Sequence, residues 1–421
     1  MKAMDARGSH GGEQARGSLL ARGRVRDHLP LLFNFSAGLR VQMKKILFIT
    51  PALPAATDSG AAHRSHYLLT ELQKLAEVHV CTCSPVGIPH DRAKSFATHT
   101  TYLGNIPIPR RFSYSLKSHD VKFPLMEAIR KRTYDFIFVR YLHSAYWLNL
   151  LQQQNLILDC DDCHLELLQQ IREQNWGLNK WLAARFLKRL KPRYQETISQ
   201  IPRVIYSRQS AMLPPAPNVA VIPNRIQASA ATLNPVAAQA SRRSHVTVLF
   251  VGYLGYGPNY LGLDEFIKHC WPSIVSEVPG IRLKVVGANL PGRFARRWSR
   301  TENVDVRGFV PSLEDVYADV DFCISPVSIG SGTHIKILES LARGLTMVIS
   351  KRSHRGFEEA FKDGECLLVA RDFRDFSRKV CDLASSAQLR KSLSEKGLQV
   401  VKQSFAYDRS TPSVFADLLA G

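Results

Sequence analysis

The sequence predicts an α/β protein built from two doubly wound, parallel-sheet domains facing a central cleft, and three observations carry that expectation. Short β-branched runs alternate with amphipathic helical stretches from residue 43 onward. A stretch rich in Ala, Ser and Pro without periodicity, 228–244, interrupts the alternation and reads as a linker. In the second half, a glycine loop and short helix, from Ile329 through Gly330-Ser-Gly-Thr-His-Ile-Lys336 to Gly344, lie between two apolar runs and form one βαβ unit.

At 421 residues the chain is long enough for two domains with a core each. The expected boundaries are 43–227 for an acceptor-side domain, 228–244 for the linker, 245–404 for a nucleotide-type domain, and 405–421 for a helix returning to the first. Residues 1–42 are rich in Gly, Arg, Ser and Ala and carry neither a period nor a cleavage-site pattern. Two readings stand for them: a disordered tail, or a segment upstream of a true start at Met43. Met43-Lys-Lys-Ile-Leu-Phe-Ile-Thr-Pro51 has the look of a first strand.

Taken in order, the first domain reads as strand Ile46 to Thr50, helix His63 to Leu75 with Tyr67, Leu68, Leu69, Leu72 and Leu75 on its apolar side, and strand Val78 to Cys83. Further buried strands follow at Tyr134 to Arg140, Leu156 to Asp159 and Arg203 to Ser207. The second domain opens with strand Val246 to Gly252 and helix Leu263 to Ser276, then strands Arg282 to Val286 and Val304 to Arg307. The βαβ unit has strands at Asp321 to Pro326 and Leu345 to Ser350, and Phe373 to Gln403 reads as helical. In such sheets ligands bind at the carboxyl ends of the strands.

The helix after the glycine loop buries Ile335, Leu338, Leu341 and Ala342, with Thr333 as N-cap and Gly344 as a left-handed stop. Its first amides, uncovered by Gly330 and Gly332, suit a phosphate, and Lys336 adds a positive charge one turn in. Glu339 would repel a phosphate but can accept two hydrogen bonds from a ribose diol. The pair suits a nucleotide diphosphate; the plain alternative is a solvated ion pair three residues apart.

A formal charge of +20 and a pI near 9.8 imply an acidic partner: anionic lipid head groups, nucleic acid or a phosphorylated substrate. Basic clusters at 22–26, 130–132, 188–193, 293–300 and 351–352 spread the charge along the chain. No RNP pattern or zinc-finger spacing accompanies them, so nucleic acid is set aside. The eight cysteines sit singly or as Cys81-x-Cys83 and Cys160-Asp-Asp-Cys163, without a second metal-binding knuckle. That usage fits a reduced cytosolic protein. Leu29 to Leu39, interrupted by Pro30 and Asn34, is too short to span a bilayer.

Phe250-Val-Gly252-Tyr-Leu-Gly-Tyr-Gly-Pro258-Asn259-x-x-Gly262, Val285-Val286-Gly287, Val306-x-Gly308-Phe309-Val310 and Pro326-x-x-x-Gly330-Ser-Gly-Thr-x-x-Lys336-x-Leu338-Glu339-x-x-Ala342 stand in this order. The series resembles the C-terminal domain of the GT-B glycosyltransferases of family 4. Gly60 with Arg64, Asp159-x-Asp161-Asp162 and Val221-Ile-Pro-Asn224 resemble that family's first domain more weakly. The resemblance spans about residues 44 to 410.

It implies a glycosyltransferase that moves a sugar, with retention, from a nucleotide-diphosphate sugar to a glycan or lipid-linked acceptor. No cofactor and no metal are implied. Glu339 corresponds to the second glutamate of the family's Glu-x7-Glu motif, expected on the ribose, while the first falls at Ser331. The family's Arg and Lys pair after the Val-Gly strand is missing from Tyr253 to Tyr260. Lys336 and the loop amides of Gly330, Ser331, Gly332 and Thr333 are the substitutes for gripping the donor. Gly252, Gly60 and Arg64 complete the donor-side set, with Lys336 and His143 as the catalytic pair. His143 has two readings, a contact to the donor sugar or acceptor hydroxyl and a hydrogen-bonded loop histidine. His334 is expected to face solvent, and Asp159-Cys-Asp161-Asp162 to be a helix-start and loop feature. The expected setting is cytoplasmic, with the basic face at the inner membrane surface. The alternative is a non-catalytic GT-B-like subunit binding a nucleotide or protein partner.

Overall fold

A computed structural model describes residues 43–54, 60–84, 88–107, 134–161, 163–174, 178–209, 212, 216–228, 245–330, 332–408, 410 and 412–420. The expected tail 1–42, most of the expected linker, Asp162 and Ser331 lie outside them. The first sheet comprises β1 (Lys44–Thr50), β2 (Ala76–Cys83), β3 (Thr101–Ile106), β4 (Phe136–Arg140), β5 (Leu156–Asp159), β6 (Arg203–Tyr206) and β7 (Val219–Val221). Between these strands lie α1 (Gly60–Gln73), α2 (His90–Ala97), α3 (Leu142–Trp147), α4 (His164–Gln174) and α5 (Leu178–Gln200).

After the short β8 (Ile226–Gln227), the second sheet comprises β9 (Thr247–Val251), β10 (Arg282–Val286), β11 (Val304–Gly308), β12 (Phe322–Ser325), β13 (Met347–Ser350) and β14 (Leu368–Ala370). Its helices are α6 (Gly257–His269), α7 (Trp271–Glu277), α8 (Gly292–Trp298), α9 (Leu313–Tyr317), α10 (Ile335–Ala342), α11 (Lys351–His354), α12 (Phe373–Ser385) and α13 (Ala387–Val400).

Both sheets repeat one topology. The first runs β3-β2-β1-β4-β5-β6-β7 and the second β11-β10-β9-β12-β13-β14, every pairing parallel. In each, the order reverses at the centre, between β1 and β4 and between β9 and β12. These switch points open a crevice at the strands' carboxyl ends. The strands read as continuous apolar runs because helices cover both faces: Ile46 to Ile49 and Val248 to Phe250 are fully buried. Each sheet has one apolar cluster per face, with Phe48, Phe138 and Tyr67 on one side of the first and Phe250, Phe266 and Trp271 on one side of the second.

The chain's end returns to the first domain. β15 (Ala406–Tyr407) pairs with β8, and α14 (Ala416–Ala420) follows. Tyr407 packs on Tyr67 at 4.8 Å between ring centroids and Phe415 on Phe138 at 5.7 Å. Ser413 Oγ donates to the Glu71 carbonyl at 3.0 Å.

Several elements differ from the sequence reading. The first helix begins at Gly60 and ends at Gln73, and β3 and β14 are strands the pattern did not announce. The stretch Leu263 to Ser276 divides at Cys270 between α6 and α7. The helical stretch from Phe373 is broken at Ser386, whose hydroxyl accepts from the Leu389 amide at 3.1 Å and caps a new helix.

Candidate active site

At the second switch point, β9 passes into Gly252 and β12 into the glycine loop. The α10 helix starts behind both. Gly344 ends it with φ of +69°, its amide reaching the Leu341 carbonyl at 3.0 Å while the Leu345 amide reaches Ser340 at 3.0 Å. This is the left-handed stop that its glycine announces. The start differs from expectation: His334, not Thr333, holds the cap position, and its side chain caps no amide.

Lys336 turns inward to the end of β9. Its ammonium lies 3.0 Å from Asn259 Oδ1 and 4.3 Å from the Phe250 ring centroid. Asn259 is oriented by donating its own amide to the Tyr253 carbonyl at 2.9 Å. Gly252 makes room, since a Cβ there would stand 2.8 Å from Lys336 Nζ. Burial pushes the Lys336 amine down to about 7 against the pull of Glu339. The site therefore holds a cation-forming group with no carboxylate in hydrogen-bond contact.

Glu339 faces the other way, across to α1. Its Oε1 is 3.9 Å from His63 Nε2, and both side chains are largely buried. Burial lowers the His63 pKa despite Glu339, and His63 Nδ1 has no hydrogen-bond partner. Gly60 opens the same helix and faces α10, an added Cβ lying 3.9 Å from Ile335 Cδ1. The sequence reading missed His63. The signal available was its place one turn after Gly60, next to Arg64.

The glycine loop departs from expectation at two points. The Gly330 amide is not open to a ligand: it donates to Gln170 Oε1 at 2.8 Å, while Gln170 Nε2 donates to the Gly330 carbonyl at 2.9 Å. Gln170, on α4 of the first domain, thus holds the loop by both backbone groups, at a glycine with φ of +149°. Thr333 Oγ1 accepts from Asn224 Nδ2, which also comes from the first half of the chain. Gly332 lies half-buried between them. His334 is half-buried rather than exposed, 3.4 Å from Ser325 Oγ. Burial, then Lys336, Arg352 and Arg208, push its ring down to about 3, so it is neutral.

At the first switch point the crevice is filled by charge. Arg64 is fully buried and cannot touch a donor, contrary to its expected role. Its guanidinium bridges to Asp159 at 2.6 Å, to the Ile222 carbonyl at 3.0 Å and to Asn224 Oδ1 at 2.9 Å. Arg140 meets Asp159 at 2.9 Å and Asp161 at 2.8 Å. Burial alone would raise the Asp159 carboxyl, but Arg64 and Arg140 together hold it below the ordinary carboxylate range. Asp159 is therefore the hub of an ion cluster, not a helix-start feature. Its reach continues through Arg64 and Asn224 to Thr333.

His143 belongs to α3 rather than a loop, at the carboxyl end of β4. Its ring stacks on Tyr141 at 5.3 Å with planes 8° apart. Tyr141 has φ of +71°, strain that a bulky residue adopts only where its surroundings enforce it. All eight cysteines are buried thiols. Among the described residues no group of three or more His, Cys, Asp or Glu is arranged to hold a metal ion.

The geometry thus joins Gly252 with Lys336, Gly60 with Ile335 of α10, and His63 with Glu339. It ties Gly330 and Thr333 to the first domain and withdraws Arg64 into the core.

Residues 245–386 match the family described as Glycosyl transferases group 1, so the second domain is a glycosyltransferase domain of that group. Over 86–90% of the chain the fold is that of the GT-B glycosyltransferases. The sucrose-phosphate synthase tll1590 from Thermosynechococcus elongatus is similar with a TM-score of 0.59 and 16% identity, over 86% of this chain and 95% of that one. WaaG, a glycosyltransferase involved in lipopolysaccharide biosynthesis, is similar with a TM-score of 0.59 and 13% identity, over 89% and 100%. Anabaena Alr3699/HepE, solved with UDP and glucose, is similar with a TM-score of 0.60 and 16% identity, over 90% and 100%. No curated protein is similar enough in sequence to count as a match.

Proposed function

We propose that the chain moves a sugar, with retention of anomeric configuration, from a nucleotide-diphosphate sugar to a glycan or lipid-linked acceptor. The observation that carries this reading is Lys336, an amine drawn inward at the second switch point with a pKa of about 7. As the glycosidic bond breaks, negative charge gathers on the departing diphosphate, and a preorganised cation there lowers the barrier. The diphosphate also raises the amine's pKa on binding, so the donor supplies the charge that burial withholds. Glu339 accepts from the ribose hydroxyls, beside His63. Gly252 and Gly332 let the donor approach the backbone, and Gly60 keeps the first domain's face open. His143, beside the strained Tyr141, stands at the acceptor side of the cleft.

The structure solved with UDP and glucose supports uridine-diphosphate sugars as the first donors to test. The reading also includes attachment at an anionic membrane surface. Among the described residues no helix is long and apolar enough to cross a bilayer. Helix α5 supports attachment from the side, with Trp181 and Phe186 exposed among Arg185, Lys188, Arg189, Lys191 and Arg193.

The test is binding and slow hydrolysis across a panel of nucleotide-diphosphate sugars, for wild type, Lys336→Ala and Glu339→Ala. Saturable binding with hydrolysis, lost in both variants, is the expected outcome. Nucleotide binding without turnover of any donor would instead favour a non-catalytic nucleotide-binding subunit.

A further inference from the structure

Beside the glycine loop lies a cavity of about 1100 Å³ that both domains line, with Lys336 outside its wall. Gln170, the residue clamped to Gly330, forms part of its wall. So does Gly356, where an added Cβ would stand 2.9 Å from the Arg208 side chain and 3.0 Å from Thr333 Cγ2. The cavity is therefore one side chain away from the donor loop.

Its lining is unbalanced in charge, with six basic side chains against four acidic ones. The imbalance is sharpest at the loop end, where Arg208, Arg352 and Arg355 converge from the two domains on a single buried carboxylate, Glu166. Arg208 bonds directly to Glu166, and Arg355 lies 3.6 Å from it. Arg352 NH1 is buried and has no hydrogen-bond partner among the described residues. Burial and then the neighbouring Arg355 lower the Arg352 pKa, and Arg352 with Arg208 helps to depress His334. Three guanidiniums share the one buried carboxylate, Glu166, which leaves an excess of positive charge that a further anion would balance. A tetrahedral oxyanion with several acceptors answers their planar forks in a way a lone chloride does not.

We propose that this cavity is a second anion site, built for a phosphate-type oxyanion and seated by Arg352 and Arg208 across the domain boundary. Its occupant is the phosphate of the acceptor or a free phosphate metabolite; the chemistry is shared. The acceptor version rests on the transferase reading, whereas the ion site itself does not. The basic face of α5 reaches the same cavity through Lys188 and Lys191. A phosphate presented at a lipid surface therefore has a charged approach to it.

The test is calorimetric titration of the full chain with inorganic phosphate and, separately, inorganic sulfate, at constant ionic strength. Wild type, Arg352→Gln, the more exposed Arg355→Gln and Lys336→Ala are compared, with thermal melts to verify folding. The expected result is a phosphate site weakened at least tenfold by Arg352→Gln and several-fold by Arg355→Gln, and still present in Lys336→Ala, which removes only donor-side binding. Binding lost in Lys336→Ala but intact in both arginine variants overturns the proposal while leaving the donor reading standing. Equal binding in all four proteins, or none in wild type, overturns it too. Flotation with phosphatidic acid vesicles assigns the source: a loss on Arg352→Gln points to a lipid-borne phosphate, and no loss to a soluble one.

Discussion

The two sheets carry the same strand order and so the same pair of crevices, yet they fill them in opposite ways. In the first, Arg64 and Arg140 meet Asp159 and Asp161, and the cluster is closed upon itself in the core. In the second, Lys336 has an amide oxygen and an aromatic face for company, and Glu339 a histidine. A buried charge needs a partner. Where the chain supplies it, the crevice is structural; where it does not, our proposal has a ligand complete the site. The difference is why we propose donor chemistry in one half only.

The sharpest way to break the comparison is to open the closed cluster. Asp159→Asn removes the main carboxylate partner of two buried guanidiniums, leaving them Asp161, and should cost about 3–5 kcal/mol of stability, read by urea denaturation. Donor affinity of the folded fraction should stay within a few-fold of wild type, because Arg64 is fully buried among protein partners. A selective loss of donor affinity without loss of stability would return Arg64 to the donor site.

The open crevice should respond in the reverse sense. Lys336→Met should weaken nucleotide-diphosphate binding by about 10–100-fold, the worth of a charge-assisted contact, with no loss of stability. The pH dependence has a definite sign. The folded pKa near 7 lies below the ordinary lysine value of 10.5, so unfolding takes up a proton between them. This group's contribution to stability therefore grows as pH rises from 7 to 10 and is at its most unfavourable below 7. Wild type minus Lys336→Met stability, measured by denaturation at pH 6 and pH 9, should show that slope.

A smaller effect is expected from the tie between the halves. Gln170→Ala leaves the Gly330 amide and carbonyl without their partner and should cost about 1–3 kcal/mol. It should also change KM for the donor more than kcat, as the loop loses its fixed position. Smallest of all, Trp181→Ala with Phe186→Ala should leave the melting temperature nearly unchanged, as exposed substitutions do. Flotation with anionic vesicles should still fall measurably.

How much of this was legible in the sequence follows from which contacts are local. The apolar runs 46–49 and 247–251 and the left-handed Gly344 announce their elements through neighbours in the chain. Lys336 reads as one turn into a helix behind Gly330, whereas it is the second residue of α10. The strand Thr101–Ile106 carries Gly104 and a half-exposed, weakly apolar pattern, and β14 is three residues long, so neither gave a period to read. Arg64 and Asp159 were visible as separate features. Their bond joins residues 95 apart, and nothing in spacing reports it. The clamp of Gln170 on Gly330 spans 160 residues and turns an apparent anion site into a domain contact. His63 was hidden because a histidine beside a buried arginine carries no pattern until Glu339 is placed opposite it.

The measurement that tests the central claim most directly is proton uptake on binding uridine diphosphate at pH 8, by calorimetry in two buffers of different ionisation enthalpy. If the second crevice is completed by its ligand, wild type takes up a substantial fraction of a proton as Lys336 becomes charged, and Lys336→Met takes up none. Tight binding with the same proton balance in both proteins would contradict the account.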